Sequence, residues 1–218
     1  INSMYTLAHE AGHSMHSFLS REEQPYLYAD YTIFVAEVAS TFNEALLTKY
    51  LLSQNIDQSM KIYLICREID NLRGTLYRQT MFAEFEHQIY AAAENEQPMT
   101  LDVFKNIYRK LLEKYFGEEI VLDDLLTLEC FRIPHFYFSF YVYKYATGIT
   151  AAYALADRVL EGGVLELNDY LNFLKGGGSK YPIDLLKGAG VDVTSPEPVN
   201  TTLKKFSTLV DQLESLTI

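Results

Sequence analysis

His9-Glu10-Ala11-Gly12-His13 is the stretch whose reading decides how the rest of the chain is understood. It has the form H-E-x-x-H. In a helix, residues four apart lie one turn above each other on the same face. His9 and His13 can then offer two imidazoles to one metal ion, with Glu10 beside them as a candidate general base. That is the donor arrangement of a zinc peptidase. Five positions constrain only three residues, so the motif alone is of moderate specificity. The reading depends on whether the remaining sequence supplies a helical frame and a third ligand.

The frame is legible in the periodicity. The chain has 218 residues, 49% of them hydrophobic, which suffices for a sizeable core and reads as one domain over 1–218. Apolar residues recur at helical spacing, and no strand run or repeat is visible, which predicts an almost all-α domain. Asn2 or Ser3 is placed to cap a first helix to about Leu19, with Met4, Leu7, Ala8, Ala11, Met15 and Phe18 as its apolar stripe. A polar loop over 20–25 separates it from a second helix over about 30–52. Asp57 caps a long third helix reaching Glu94. Thr100 opens a helix that Gly117 stops, and a short helix covers 122–128. After Pro134 an aromatic-rich helix runs over about 135–160, ended by Gly162-Gly163. Helices over 165–175 and 182–188 follow, and Asn200 caps the last one. Gly176-Gly177-Gly178 lacks the Gly-Lys-Ser/Thr ending of a phosphate loop and reads as a mobile connection.

Composition narrows the function classes. The net charge is −11, from 18 basic and 29 acidic residues, which argues against a nucleic-acid partner. The acidity reads as a solvated exterior, or as a channel favouring basic ligands. Cys66 and Cys130 stand far apart, so a reducing, cytoplasmic setting is expected rather than a disulfide framework. The most apolar run, 136–145, is short and tyrosine-rich, so no membrane association is expected. There is no initiator Met, and Ile1 leads almost directly into the motif. The chain therefore reads as the C-terminal catalytic part of a longer protein.

A catalytic zinc site needs a third protein ligand. Glu37 lies 28 residues after His9 and 24 after His13, a gap that holds the rest of one helix, a connection and the first turns of the next. Two packed antiparallel helices would bring it to the metal. A lone Glu on a helix is ordinarily a solvated charge, but Glu37 is flanked by Val35, Ala36, Val38 and Ala39, where a carboxylate needs a partner. Glu44, on the same face, is placed to accept a hydrogen bond from a ligand imidazole and orient it. His16, one turn after His13, reads as packing or support rather than a fourth ligand, because a fourth would close the site. His87 has no paired ligand at metal spacing and reads as structural. Further along, Tyr137, Tyr141 and Tyr145 share a face of the expected 135–160 helix, with Gly148 one turn on. Such hydroxyls can donate to a developing oxyanion, or belong to an aromatic core helix.

Several longer strings carry a family resemblance. T-L-A-H-E-A-G-H-S-M-H from Thr6, Y-A-D-Y from Tyr28 and F-V-A-E-V-A-S-T-F-N-E-A-L-L from Phe34 resemble the oligoendopeptidase F branch of the thimet-oligopeptidase-like zinc metallopeptidases. So do P-H-F-Y-F-S-F-Y-V-Y-K-Y-A-T-G from Pro134 and G-G-S-K-Y-P-I-D-L-L-K-G-A-G-V-D from Gly177. The resemblance implies a multi-helix zincin-like catalytic domain holding one Zn2+, with His9, His13 and Glu37 as ligands and Glu10 as catalytic base. It also implies that His135 and tyrosines of its segment hold the substrate carbonyl and backbone. Tyr141 and Tyr145 are the residues chosen, with Tyr145 favoured for the oxyanion. Substrates would be short, unstructured peptides cut at internal bonds. A carboxypeptidase of the same family and a non-catalytic helical zinc scaffold are the alternatives. In the related family the sheet edge that receives the peptide lies upstream of the motif helix. This chain is accordingly expected to bind zinc but to cleave peptides poorly or not at all without an N-terminal lobe, and to expose surface that favours self-association.

Overall fold

The computed structural model describes residues 1–217, and every regular element in it is helical. The α-helices are α1 (Asn2–Glu23), α2 (Ile33–Ser53), α3 (Gln58–Leu72), α4 (Arg78–Glu94), α5 (Leu101–Phe116), α6 (Tyr143–Glu161), α7 (Val164–Lys175), α8 (Pro182–Gly188) and α9 (Glu197–Thr217). Short 3-10 segments cover Tyr26–Tyr28, Asp124–Arg132 and Pro134–Tyr137. The expected all-α class holds. The chain divides into two compact units, one formed by residues 1–72 and 147–217 and the other by residues 73–146.

In the first unit α1 packs chiefly on α2, and also on α7, while α3 packs on α9. Gly12 is what lets α1 and α2 approach. A Cβ at that position would lie 2.5 Å from the Ala39 carbonyl oxygen and 2.5 Å from Ser40 Cα. Asn43 Nδ2 reaches across to the Ala8 carbonyl at 3.1 Å. The packed face of α1 is therefore Tyr5, Gly12, His16 and Ser20, which are buried. This corrects the expected stripe. Of its six residues only Ala8 is even half-buried, and Leu7 and Phe18 are 71% and 61% exposed. Periodicity located an apolar face, but the small and polar residues of the other face permit the close helix contact.

The second unit is built on α4, α5 and the 3-10 segment Asp124–Arg132. Met81, Phe82, Phe85, Tyr108, Leu111 and Leu112 form its core. Glu129 ties it together, accepting from Arg78 and, at 2.7 Å, from the Tyr108 hydroxyl.

Helix starts and stops follow local chemistry in several places. Asp57 Oδ1 accepts from the Met60 amide at 2.7 Å, and Thr100 Oγ1 from the Val103 amide at 3.4 Å. Gly117 ends α5 at φ 74°. Elsewhere the chain differs from the sequence reading. Ile1, not Asn2 or Ser3, is the N-cap of α1, and no side chain caps it. The helix expected over 57–94 is interrupted by a π-helical turn at Arg73–Tyr77. The segment expected as a 122–128 helix is the longer 3-10 segment. The aromatic helix expected from His135 begins only at Tyr143, because Pro134–Tyr137 closes a 3-10 turn and Phe140 takes a left-handed φ of 53°. Asn200 lies inside α9 rather than capping it. The triple glycine is packed, not a free hinge: Gly177 adopts φ 50° against Tyr28 and Ser20, and the Gly178 amide donates to the Tyr28 carbonyl at 2.8 Å. Cys66 and Cys130 are both free, and no helix of the described residues is long and apolar enough to cross a membrane.

Candidate metal centre

Helical spacing on α1 stacks His9 over His13, their ring centroids 4.8 Å apart and their planes nearly perpendicular. The antiparallel α2 brings Glu37 to the same point. Its Oε2 lies 3.4 Å from His9 Nε2 and 3.7 Å from His13 Nε2. Two ligands held about 2.05 Å from a tetrahedral zinc are about 3.3 Å apart, close to both carboxylate-to-imidazole separations, and all three donor atoms lie within 4.8 Å of one another. They form the one group of three potential metal-holding side chains among the described residues. The donor set, two imidazole nitrogens and one carboxylate oxygen with all three side chains partly open, fits a divalent ion that keeps a free coordination position.

The surroundings hold the donors in place. Ser40 Oγ donates to Glu37 Oε2 at 3.1 Å. His9 Nδ1 meets Glu44 Oε1 at 2.7 Å, which leaves Nε2 facing Glu37 and His13. Glu44 in turn accepts from Arg67 Nη2 at 3.1 Å. Hydrogen bonding to Glu37 first, then to Glu44, raises the His9 pKa to about 10. The His9 hydrogen bond is also the main reason the Glu37 carboxyl is held below its usual range. Burial works to raise the Glu44 pKa, but its bonds to His9 and Arg67 leave it lowered. The protein thus concentrates two ionised carboxylates around the imidazoles, a field that favours a cation.

Glu10 is exposed on the same helix, at the margin of a depression of about 580 Å³ lined also by His13, Ser14, Ser17, Phe18 and Arg21. His16 is buried and stacked on Tyr31 at 3.6 Å, with its Nδ1 unpartnered, so it packs rather than ligates. Burial lowers its pKa to about 4. His87 is exposed on α4 rather than built into the core.

In the second unit His135, Tyr141 and Tyr145 form one cluster. Tyr145 OH lies 3.4 Å from His135 Nε2, and the Tyr141 ring lies 5.3 Å from the His135 ring and 5.7 Å from that of Tyr145. The helical face expected for Tyr137, Tyr141 and Tyr145 does not exist, since the helix starts after Tyr141, and Tyr137 is 81% exposed. The turn that gathers the cluster is held by Glu86, whose buried Oε1 accepts the Phe140 amide at 2.5 Å.

Sequence reasoning brought out His9, Glu10, His13, Glu37 and Glu44 but missed Arg67, Tyr5 and Thr48. A signal was present: Tyr5 stands one turn before His9, and Thr48 one turn after Glu44, so two helices pairing at His9 and Glu44 also pair at Tyr5 and Thr48. Their hydroxyls are 2.9 Å apart.

A model of peptidase family M3 matches residues 1–205. The chain is 50% identical over 216 residues to oligopeptidase PepF of Bacillus subtilis, covering 99% of this chain and 32% of that protein. It is 43% identical over 216 residues to group B oligopeptidase PepB of Streptococcus agalactiae, covering 99% and 36%. The crystal structure of oligoendopeptidase-F from Enterococcus faecium superposes with a TM-score of 0.88 at 40% identity, over 99% of this chain and 39% of that one. The chain thus spans about a third of the length of the relatives it matches.

Proposed function

Since the chain belongs to peptidase family M3, we propose that it carries the metal site and general base of a zinc endopeptidase that hydrolyses internal bonds of short oligopeptides. The observation that supports this most is the convergence of His9 Nε2, His13 Nε2 and Glu37 Oε2, with Glu10 exposed one residue along from His9. His9, His13 and Glu37 would hold the ion. Bound there, it supplies Lewis acidity and an acidified water. Glu10 takes the proton from the attacking water and later delivers it to the leaving amine. Glu44 keeps the His9 Nδ1–H engaged, so that Nε2 faces the ion. The resemblance assigns His135, Tyr141 and Tyr145 to the substrate carbonyl and backbone, with Tyr145 as oxyanion donor, and their clustering supports treating them as one group. Donors and acceptors of this kind hold an extended, unstructured peptide.

Glu10→Gln in the full-length protein tests the proposal. A general base contributes about 10²–10⁴-fold to turnover. Cleavage of an internally quenched peptide should fall by that factor while zinc content stays unchanged. Undiminished turnover would remove Glu10 from the mechanism, and zinc binding without turnover in wild type and variant alike would leave the zinc-scaffold alternative.

A further inference from the structure

The hydrogen bonds behind the metal site form a ladder rather than a single supporting contact. Tyr5 and His9 on α1 face Thr48 and Glu44 on α2, pair by pair. The third helix closes the ladder with Arg67. Its Nη2 donates to Glu44 Oε2 at 3.1 Å, on the oxygen that His9 leaves free, and its guanidinium lies 3.3 Å from the centroid of the Tyr5 ring.

Resting on the metal-site reading above, we propose that Arg67 is a positioning residue of the metal centre. A carboxylate tethered at one oxygen can rotate and release its partner. Glu44 is tethered at both, by His9 on one side and Arg67 on the other. Arg67 is itself restrained, because its guanidinium sits over the ring of Tyr5, which lies one turn from His9 on the same helix as His9. The orientation of the His9 imidazole is therefore set by three helices at once. The long side chains involved are half-buried or buried, where such bonds are better protected from exchange with water. Arg67 is not one of the three converging donors and acts only through Glu44.

The test is a double-mutant cycle on zinc affinity, measured in the intact protein by competition with a chromophoric chelator. The variants are Arg67→Met, Glu44→Ala and the two combined. Loss of a group that orients a ligand costs about 10–100-fold in metal affinity. Arg67→Met should weaken zinc binding by about 10-fold in the wild-type background and by less than about 2-fold once Glu44 is Ala. Unchanged affinity in Arg67→Met, or an equal loss with and without Glu44, overturns the proposal. If Arg67→Met loses its helical circular dichroism, Arg67→Lys carries the same cycle. It keeps the charge without the guanidinium, and a smaller loss, again confined to the Glu44 background, is expected. His9→Ala separates the two readings. If it binds zinc as tightly as wild type, the metal site itself is misassigned. If it abolishes binding while Arg67 variants bind normally, only the role of Arg67 fails.

Discussion

Replacing Gly12 by Ala tests whether the close approach of α1 and α2 sets the geometry of the metal centre. The added Cβ would lie 2.5 Å from the Ala39 oxygen, 2.5 Å from Ser40 Cα and 2.7 Å from Ser40 N. All three are backbone atoms of α2, so no side-chain rotation relieves the contact. Non-bonded carbons sit comfortably at about 3.5–4.0 Å, and the helices must therefore separate by about 1 Å. Overpacking of this kind costs about 1–3 kcal/mol, while Ala in place of Gly in a helix returns up to about 1 kcal/mol. A net destabilisation of about 1–2 kcal/mol is expected in urea denaturation of the metal-free protein. The same separation pulls the histidines of α1 from Glu37 of α2, so zinc affinity should fall by about 10-fold or more, as when a ligand loses its orientation. Gly148, also buried within a helix, provides the comparison. A Cβ there meets only Glu37 Cβ, at 3.9 Å, an ordinary contact. Gly148→Ala should be neutral or stabilise by up to about 1 kcal/mol. If Gly12→Ala matches Gly148→Ala in stability and retains wild-type zinc affinity, the close-packing argument is wrong.

Two further outcomes are expected. Glu68 is buried and accepts from the Tyr153 hydroxyl at 2.8 Å, Lys205 Nζ at 3.1 Å and the Thr48 hydroxyl at 3.4 Å. Glu68→Ala strands the Tyr153 hydroxyl and the Lys205 ammonium and should cost about 3–5 kcal/mol in urea unfolding, and a loss below about 1 kcal/mol would contradict this account. Buried His16, with its pKa lowered to about 4 by burial, resists protonation in the folded state, whereas the unfolded chain takes up the proton near pH 6.5. Its contribution is therefore complete above about pH 6.5 and is lost as pH falls towards 4, by up to ~3 kcal/mol. His16→Phe keeps a ring on Tyr31 and removes the titration, so the stability difference between wild type and variant should shrink by that amount from pH 7 to 4. A difference independent of pH would refute the assignment.

The candidate site was legible in the sequence because most of its parts obey helical arithmetic. Four-residue spacing puts His9 and His13 on one face, and seven-residue spacing does the same for Glu37 and Glu44. The apolar neighbours of Glu37 mark it as a carboxylate in need of a partner. Elements whose geometry departs from simple helical arithmetic were less legible. The π turn at Arg73–Tyr77 hides inside an apolar pattern that still looks continuous. The break before α6 depends on a left-handed Phe140 whose amide is held by Glu86, 54 residues earlier. No local signal announces that bond.

By itself, the sequence determined the helical class and the candidate donors that the first two helices carry. These follow from spacing along a single helix, which is a local property. Only the tertiary structure decided which face of α1 is buried. It also brought Arg67 and Tyr5 behind the site and gathered His135, Tyr141 and Tyr145 into one cluster. The physical reason is that each depends on contacts between segments far apart in sequence. Glu86 holds the turn that gathers the tyrosine cluster, and at Gly12 the absence of a single carbon atom lets α1 and α2 meet.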